Sequence, residues 1–189
     1  MFCGAVLRGE GEESAVAFLD GDGNCTTRSV EGNEEIVEMM EEKRPDVVAM
    51  NAPLERSVGE GPVKPREKDP ESDVPEGSFR EGEEELVEEG YSVLPRDMRD
   101  RDVLEQGEHL SRSVEASGIG ALVIESDPRL VAEELGVGGD EKLEAYGVDT
   151  SDIGNVWEFD AAVLALLARF HSEGRTEEND LVLPDTEEV

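Results

Sequence analysis

Asn51 is a polar side chain at the point where a buried-looking strand ends. Residues 47–54 (VVAMNAPL) are apolar as far as Met50, and the chain then leaves the strand through Ala-Pro. A catalytic carboxylate would be well placed at such a strand end. The chain has an amide there instead, although it contains 49 acidic residues. We therefore predict an active-site architecture in which part of the chemistry is missing.

Glu125 is an acid at the end of a second predicted strand, residues 121–124. It is a candidate site residue because, like Asn51, it lies where a buried-looking strand ends. The alternative is structural, because a short helix is predicted to begin at Pro128, where proline is tolerated. In that case Glu125 would cap this helix.

Asp160 lies inside the strongest predicted helix, residues 156–171, directly after Phe159. Acids are rarely buried unless they are paired, so an acid in this apolar run favours a site role. The alternative is a structural ion pair with Arg129 or Arg169. Trp157, at the start of the same helix, is interpreted as core or cap packing and not as a base-stacking residue.

The elements that must position these side chains follow from the apolar pattern. Five strands are predicted at 2–7, 14–19, 24–30, 46–50 and 121–124, and helices at 33–44, 81–89, 100–117, 128–135, 143–147 and 156–171, with a last short strand at 181–183. The order is three antiparallel strands, then helix, strand, helix, strand and helix. This order predicts an α/β fold of ribonuclease H type, with a mixed five-stranded sheet in the order 3-2-1-4-5 flanked by helices.

Asn33 is predicted to cap the first helix. The sequence DGDG at 20–23 predicts a hairpin turn between the second and third strands. Its acidic alternation also resembles a calcium loop, but an EF-hand needs Gly and Glu where Cys25 and Glu31 stand, so only the second position matches. The hairpin is favoured.

Residues 55–80 are polar and contain four prolines, which predicts a long loop. This loop is interpreted either as a lid over a site or as a disordered insert. The prediction for the whole chain is a single domain over residues 1–189 that carries this loop.

Three short segments together resemble a family of predicted nucleases of the ribonuclease H fold, known as domain of unknown function 429. They are residues 51–54 (NAPL), 124–128 (IESDP) and 159–162 (FDAA). The resemblance implies two-metal phosphodiester hydrolysis with Mg²⁺ or Mn²⁺. It gives Glu125 and Asp160 as catalytic metal ligands, and it places Asn51 at a third catalytic position that usually holds Asp.

The resemblance also shows what this chain lacks. Val6 stands near the position of the family's first Asp, and the strand 2–7 contains no acid. Asp127, Glu158, Asp69 and Asp73 are the candidates to replace the missing ligands. We therefore predict a metal-dependent nuclease with an incomplete carboxylate site. The alternatives are a non-catalytic relative that binds a ligand or partner in the same cleft, and a solvent-adapted protein whose cleft has no assignable function. The cofactor is either Mg²⁺ or Mn²⁺ or none.

The net charge of −32 is the dominant compositional feature. Leu, Ile, Val and Phe make up 46 of 189 residues, which exceeds the share of about 20% typical of disordered chains and favours a folded core. An acidic surface with four lysines against 13 arginines resembles cytoplasmic proteins of extreme halophiles, and so a haloarchaeal-like member of the family. Such charge disfavours nucleic acid as a partner, although molar salt weakens that argument.

Cys3 and Cys25 lack metal-binding or redox spacing and are predicted to be buried thiols on strands. No signal peptide and no apolar run of about 20 residues is present, so we expect a soluble, cytoplasmic protein without a membrane partner. The oligomeric state does not follow from the sequence.

Overall fold

The computed structural model describes residues 1–9, 11–52, 79–93, 101–178, 180–185 and 187. Almost all of the predicted loop 55–80 lies outside these residues, as do Asp69 and Asp73. The two interpretations of that loop, and the single-domain prediction for residues 1–189, therefore stay predictions.

A mixed five-stranded sheet forms the centre of the described chain. Its strands are β1 (Phe2–Val6), β2 (Ser14–Leu19), β3 (Cys25–Val30), β4 (Val47–Met50) and β5 (Leu122–Glu125), in the order β3-β2-β1-β4-β5. β2 runs antiparallel to β1 and β3, whereas β1, β4 and β5 are parallel. The predicted α/β fold and strand order are confirmed.

Helices cover both faces of this sheet. They are α1 (Asn33–Lys43), α2 (Glu81–Glu89), α3 (Arg101–Ser117), α4 (Pro128–Glu134), α5 (Asp140–Ala145) and α6 (Val156–Ser172). The last predicted strand is present as β7 (Val182–Pro184), and it pairs with β6 (Thr176–Glu178), which the pattern did not predict. No helix in the described ranges is long and apolar enough to cross a membrane.

The helix α6 packs directly on the central strand β1. A Cβ atom added to Gly4 would lie 1.9 Å from the Ala161 carbonyl oxygen and 2.5 Å from the Ala165 backbone nitrogen. Only a residue without a side chain allows this approach, and alanines on the helix keep the contact flat. The packing fixes the position of α6, and therefore of the residues that it carries, against the end of β1.

The cap of α1 differs from the prediction. Gly32 is the N-cap residue, and Asn33 is the first residue of the helix. The Asn33 amide donates to the Gln106 carbonyl oxygen on α3 at 2.9 Å, so it ties two helices together. The prediction was wrong because this partner lies 73 residues away in the sequence.

The hairpin turn between β2 and β3 is confirmed. The Asp20 carboxylate accepts hydrogen bonds from the backbone N–H groups of Asp22 and Asn24, and from the Asn24 side chain. These donors, the Asn24 side chain first among them, lower the pKa of Asp20. The acidic alternation therefore serves the turn itself.

Both cysteines are buried free thiols on strands, as predicted. Burial raises the pKa of Cys3 far above its usual value. Burial, helped by the charge of Asp152, raises the pKa of Cys25 to about 12. Neither thiol forms the reactive thiolate at neutral pH.

Candidate functional site

A cavity of about 460 Å³ opens at the carboxyl ends of the three parallel strands. Met50 pairs with Ala5 on one side and with Glu125 on the other, so these strand ends are level. The cavity lining includes all three predicted site residues, Asn51, Glu125 and Asp160. The structure therefore brings them to one place, at the edge of the sheet where ligands bind in open α/β folds.

Asn51 holds the backbone of Leu7, one residue past the end of β1. Its Oδ1 atom accepts from the Leu7 N–H at 2.7 Å, and its Nδ2 atom donates to the Leu7 carbonyl oxygen at 3.1 Å. The amide thus continues the pairing of β1 and β4 beyond the strands. An ionised carboxylate could accept the first bond but could not donate the second. An amide at position 51 therefore allows both hydrogen bonds to Leu7, and this gives a structural reason for Asn in place of Asp.

Glu125 is a buried carboxylate, 6% exposed, and it forms an ion pair with Arg80. Arg80 Nη1 donates to Glu125 Oε2 at 2.9 Å, and Arg80 Nη2 donates to Oε1 at 2.7 Å. This is the bidentate geometry of strong charge-assisted pairs. The capping alternative is wrong, because Asp127 caps α4 by accepting from the Arg129 N–H at 2.9 Å.

Arg80 also holds a second buried acid, Glu83. Its Nη2 atom donates to Glu83 Oε1 at 2.7 Å, and its backbone N–H donates to Glu83 Oε2 at 2.8 Å. Burial alone would lower the pKa of Arg80, but Glu125 and Glu83 outweigh it and raise that pKa. We call Arg80, Glu83 and Glu125 the Arg80 cluster; it places a permanent cation against the predicted metal ligand.

Asp160 is a half-buried acid to which no described residue donates a hydrogen bond. Burial and the charge of Asp127 raise its pKa, and the charge of Arg129 partly opposes them. Neither arginine proposed as its structural partner bonds to it. Arg129 donates to Asp127 at 2.6 Å, and Arg169 donates to the Tyr146 carbonyl oxygen at 2.6 Å.

Glu158, one of the proposed replacement ligands, points away from the cavity. Its carboxylate accepts from the hydroxyls of Ser29 and Thr27 and from the Gly154 N–H, at 3.0, 3.2 and 2.7 Å. It fastens the start of α6 to β3. Asp127 does line the cavity, but its oxygens serve the cap of α4 and Arg129.

The described residues do not fit a two-metal centre. Glu125 accepts from a guanidinium at both oxygens, the Asn51 oxygen accepts from a backbone N–H, and the end of β1 supplies only the apolar Val6. In the described part of the chain, no three or more His, Cys, Asp or Glu side chains are grouped so that they could hold a metal ion. A divalent cation would also face the charge of Arg80.

Trp157 lies at the cavity and is 39% exposed, so of the two packing roles considered for it, core or cap, the core role is wrong. The Arg8 guanidinium lies over its ring, 4.1 Å from the ring centre. Arg8 also pairs with Glu12 at 2.6 Å. The cap of α6 is Asn155, which accepts from the N–H groups of Trp157 and Glu158.

Arg80, Glu83 and Arg8 are cavity-region residues that the sequence did not single out. The only sequence signal for the first two is their spacing of three, which is typical of neighbours on a helix start. Arg80 was counted as the last residue of a polar loop, and its bond to Glu125 spans 45 residues. Nothing local to the sequence indicates that contact.

The sheet order, the parallel strand ends and the crossing helix α6 define a ribonuclease H-like fold. No known protein family matches the chain, and no curated protein matches its sequence. Among solved structures, it is similar to Thermus thermophilus RuvC in complex with a Holliday junction substrate, with a TM-score of 0.49, 11% identity, and 91% of this chain and 94% of that one covered.

A second structure of Thermus thermophilus RuvC gives a TM-score of 0.44 and 13% identity, with 91% of this chain and 95% of that one covered. The activity of this chain is therefore inferred from its own cavity.

Proposed function

We propose that this chain is a non-catalytic protein of the ribonuclease H-like fold that binds a ligand in the cavity at its strand ends. The observation that supports this most directly is the bidentate pair between Arg80 and Glu125. An arginine holds the carboxylate that metal-dependent hydrolysis would need.

The energetics of the Arg80 cluster support the same conclusion. Glu83 and Glu125 are both buried, and removing the partner of a buried charge costs about 3–5 kcal/mol. A metal ion that recruited Glu125 would have to displace Arg80, and Glu83 would then lose the bonds that Arg80 donates to it.

The cavity itself has the character of a small-molecule site. Its volume of about 460 Å³ falls within the range of roughly 300–1,000 Å³ that such sites occupy. Val6, Leu104 and Leu181 give it apolar walls, and a few polar groups converge among them. This combination favours binding of one small organic ligand.

The test is a Mn²⁺ titration in molar KCl, followed by water-proton relaxation, with nuclease assays on single-stranded, double-stranded and hybrid substrates. We expect equal, unsaturated Mn²⁺ uptake by the wild type, by Asp160→Asn and by the exposed control Asp22→Asn, because the acidic surface binds cations diffusely. No substrate should be cleaved. Saturable Mn²⁺ binding that only Asp160→Asn abolishes, together with cleavage, would show that the protein is an enzyme.

A metal-dependent nuclease with a rearranged site is the second candidate. It is favoured by one observation, that Glu125, Asp127 and Asp160 line the same cavity at the strand ends. On this proposal the chain is a relative of the domain of unknown function 429, and Mg²⁺ or Mn²⁺ would require Arg80 to leave Glu125. The net charge of −32 disfavours the nucleic-acid substrate.

For the setting of the protein, we propose a single cytoplasmic domain adapted to high salt, as in haloarchaeal proteins. At molar salt the Debye length is about 3 Å, so the repulsion among acidic side chains is screened. Circular dichroism across a KCl series should show loss of helicity as salt falls to tens of millimolar. Unchanged helicity over that range would contradict the adaptation.

A further inference from the structure

Among the described residues, each acid that lines the cavity forms an ion pair with an arginine, with a single exception. Among the described lining residues there are four acids, and three of them form short ion pairs: Glu12 with Arg8 at 2.6 Å, Glu125 with Arg80 at 2.7 Å and Asp127 with Arg129 at 2.6 Å. Asp160 is the exception. Within the described part of the chain, Asp160 is therefore the lining carboxylate that no arginine pairs.

This pairing also decides the sign of charge that the cavity can accept. The lining arginines Arg8 and Arg129, like Arg80 behind Glu125, each already donate to a carboxylate. An anionic ligand would have to share an arginine with a carboxylate that already balances its charge. A cationic ligand would meet Asp160, which lies half-buried beside apolar walls and receives no hydrogen bond from the described chain.

Partial burial disfavours the ionised form of Asp160. A partly desolvated carboxylate that receives no hydrogen bond from the described chain loses part of its solvation without a protein donor in exchange. The raised pKa of Asp160 is in keeping with this loss. An N–H donor that carries positive charge would restore it through a charge-assisted hydrogen bond, which is about twice as strong as a neutral one.

Trp157 supplies an aromatic wall of the kind that cations prefer. The Arg8 guanidinium lies 4.1 Å from its ring centre, so the ring already stacks against one planar cation and its remaining surface is left for the ligand's body. A carboxylate and an aromatic ring at one cavity are the two groups that recognise organic cations in proteins. Metal ions need neither the ring nor the apolar walls.

We propose that the cavity binds a small organic cation, an amidinium or ammonium group on an apolar body of about one ring, with its charge at Asp160 and its body against Trp157 and the apolar lining. This rests on the proposed ligand-binding function and adds the ligand class to it. The ligand's N–H group donates to the Asp160 carboxylate, and its hydrocarbon part replaces water along Val6, Leu104 and Leu181.

The experiment uses benzamidine as the probe, in molar KCl, with the full chain. Trp157 is the only tryptophan, so its fluorescence reports on the cavity alone. Benzamide and benzoate have the same shape with zero and negative charge, and they separate charge from shape. Ligand-observed NMR of each probe gives a second readout that does not depend on fluorescence.

We expect saturable binding of benzamidine, and binding of benzamide and benzoate that is weaker by at least about tenfold, or about 1.4 kcal/mol. Asp160→Asn, which keeps the shape of the side chain, should weaken benzamidine binding by a similar factor. The control Asp22→Asn removes an exposed charge in the β2–β3 turn and should leave it unchanged. If Asp160→Asn does not fold, the three probes on the wild type still decide the question.

Equal binding of all three probes, or benzamidine binding that survives Asp160→Asn, would overturn the cation inference and leave the ligand-binding function standing. No saturable benzamidine binding at millimolar concentration would overturn the inference as well. If saturable Mn²⁺ binding at Asp160 and cleavage of nucleic acid were found besides, the proposed function would fail with it.

Discussion

Two carboxylates line the same cavity, and within the described chain one is paired with an arginine whereas the other is not. Glu125, at the end of β5, is almost fully buried and bonded at both oxygens by Arg80. Asp160, on α6, is less buried and receives no hydrogen bond from the described residues. The more buried acid is therefore the one with an arginine partner, so burial and pairing occur together at this cavity. We call the part of the cavity around Glu125 the paired side, and the part around Asp160, which receives no hydrogen bond from the described residues, the unpaired side.

The largest effect is expected when Arg80 is removed from the paired side of the cavity. Arg80→Met leaves the buried Glu83 and Glu125 without their guanidinium, and we expect the free energy of unfolding to fall by about 3–5 kcal/mol. Urea denaturation at constant molar KCl, followed by circular dichroism, measures the loss.

The matched control for Arg80→Met is Arg101→Met. Arg101 forms an exposed pair with Glu105 on the surface of α3, and such pairs contribute about 0–1 kcal/mol. Equal losses for the two variants would mean that the Arg80 cluster contributes no more than a surface pair. Pairing with Arg80 would then not explain how Glu83 and Glu125 are stabilised in the protein interior.

A second test restores the carboxylate that the strand end lacks. Asn51→Asp removes the donor to the Leu7 carbonyl oxygen and sets a negative charge against it, which should cost about 1–3 kcal/mol near neutral pH. A protonated carboxyl can donate in place of the amide, so the loss should shrink as the pH falls. Urea denaturation of both proteins across pH measures it; a loss that does not vary with pH would contradict the role of the amide.

The smallest effect on the free energy of unfolding is expected from Asp160, on the unpaired side of the cavity. Asp160 has a raised pKa in the folded chain, so the folded state binds this proton more tightly than the unfolded state does. Its contribution to stability is therefore present below the unfolded pKa and is lost as the pH rises through the folded pKa. Asp160→Asn lacks this dependence and should gain stability relative to the wild type as the pH rises.

Denaturation of Asp160→Asn and the wild type at a series of pH values gives that difference directly. Asp22→Asn again serves as the control, because its side chain is exposed in a turn. A wild type that becomes the more stable protein as the pH rises would show that Asp160 is already well paired. The contrast between the two sides of the cavity would then disappear.

Much of the fold follows from local patterns in the sequence. The apolar runs at 47–50 and 122–124 and the turn at Asp20 are local signals, and together they predict the five strands and their order. The positions of Asn51 and Glu125 at one cavity follow from that order, because the ends of parallel strands meet at one edge of a sheet. Asp160 lies on α6, and its place at the cavity was expected from the family resemblance.

The partners of these residues do not follow from local patterns. Leu7 and Asn51 lie 44 residues apart, and Arg80 and Glu125 lie 45 apart, so only the folded chain brings them together. From the sequence, Asn51 was therefore interpreted as a position that has lost a charge. In the structure its amide bonds both the N–H and the carbonyl oxygen of Leu7. Trp157 was interpreted as core or cap packing from its place at the start of α6, whereas its side chain lines the cavity and is stacked by Arg8.

The two buried thiols make the folding state of this protein chemically visible. Cys3 lies on the central strand and Cys25 at the far edge of the sheet, and neither is accessible or ionised in the folded chain. A thiol-reactive dye can therefore label the chain only when the sheet opens. The rate of labelling would report how often that happens, in any salt and without denaturant.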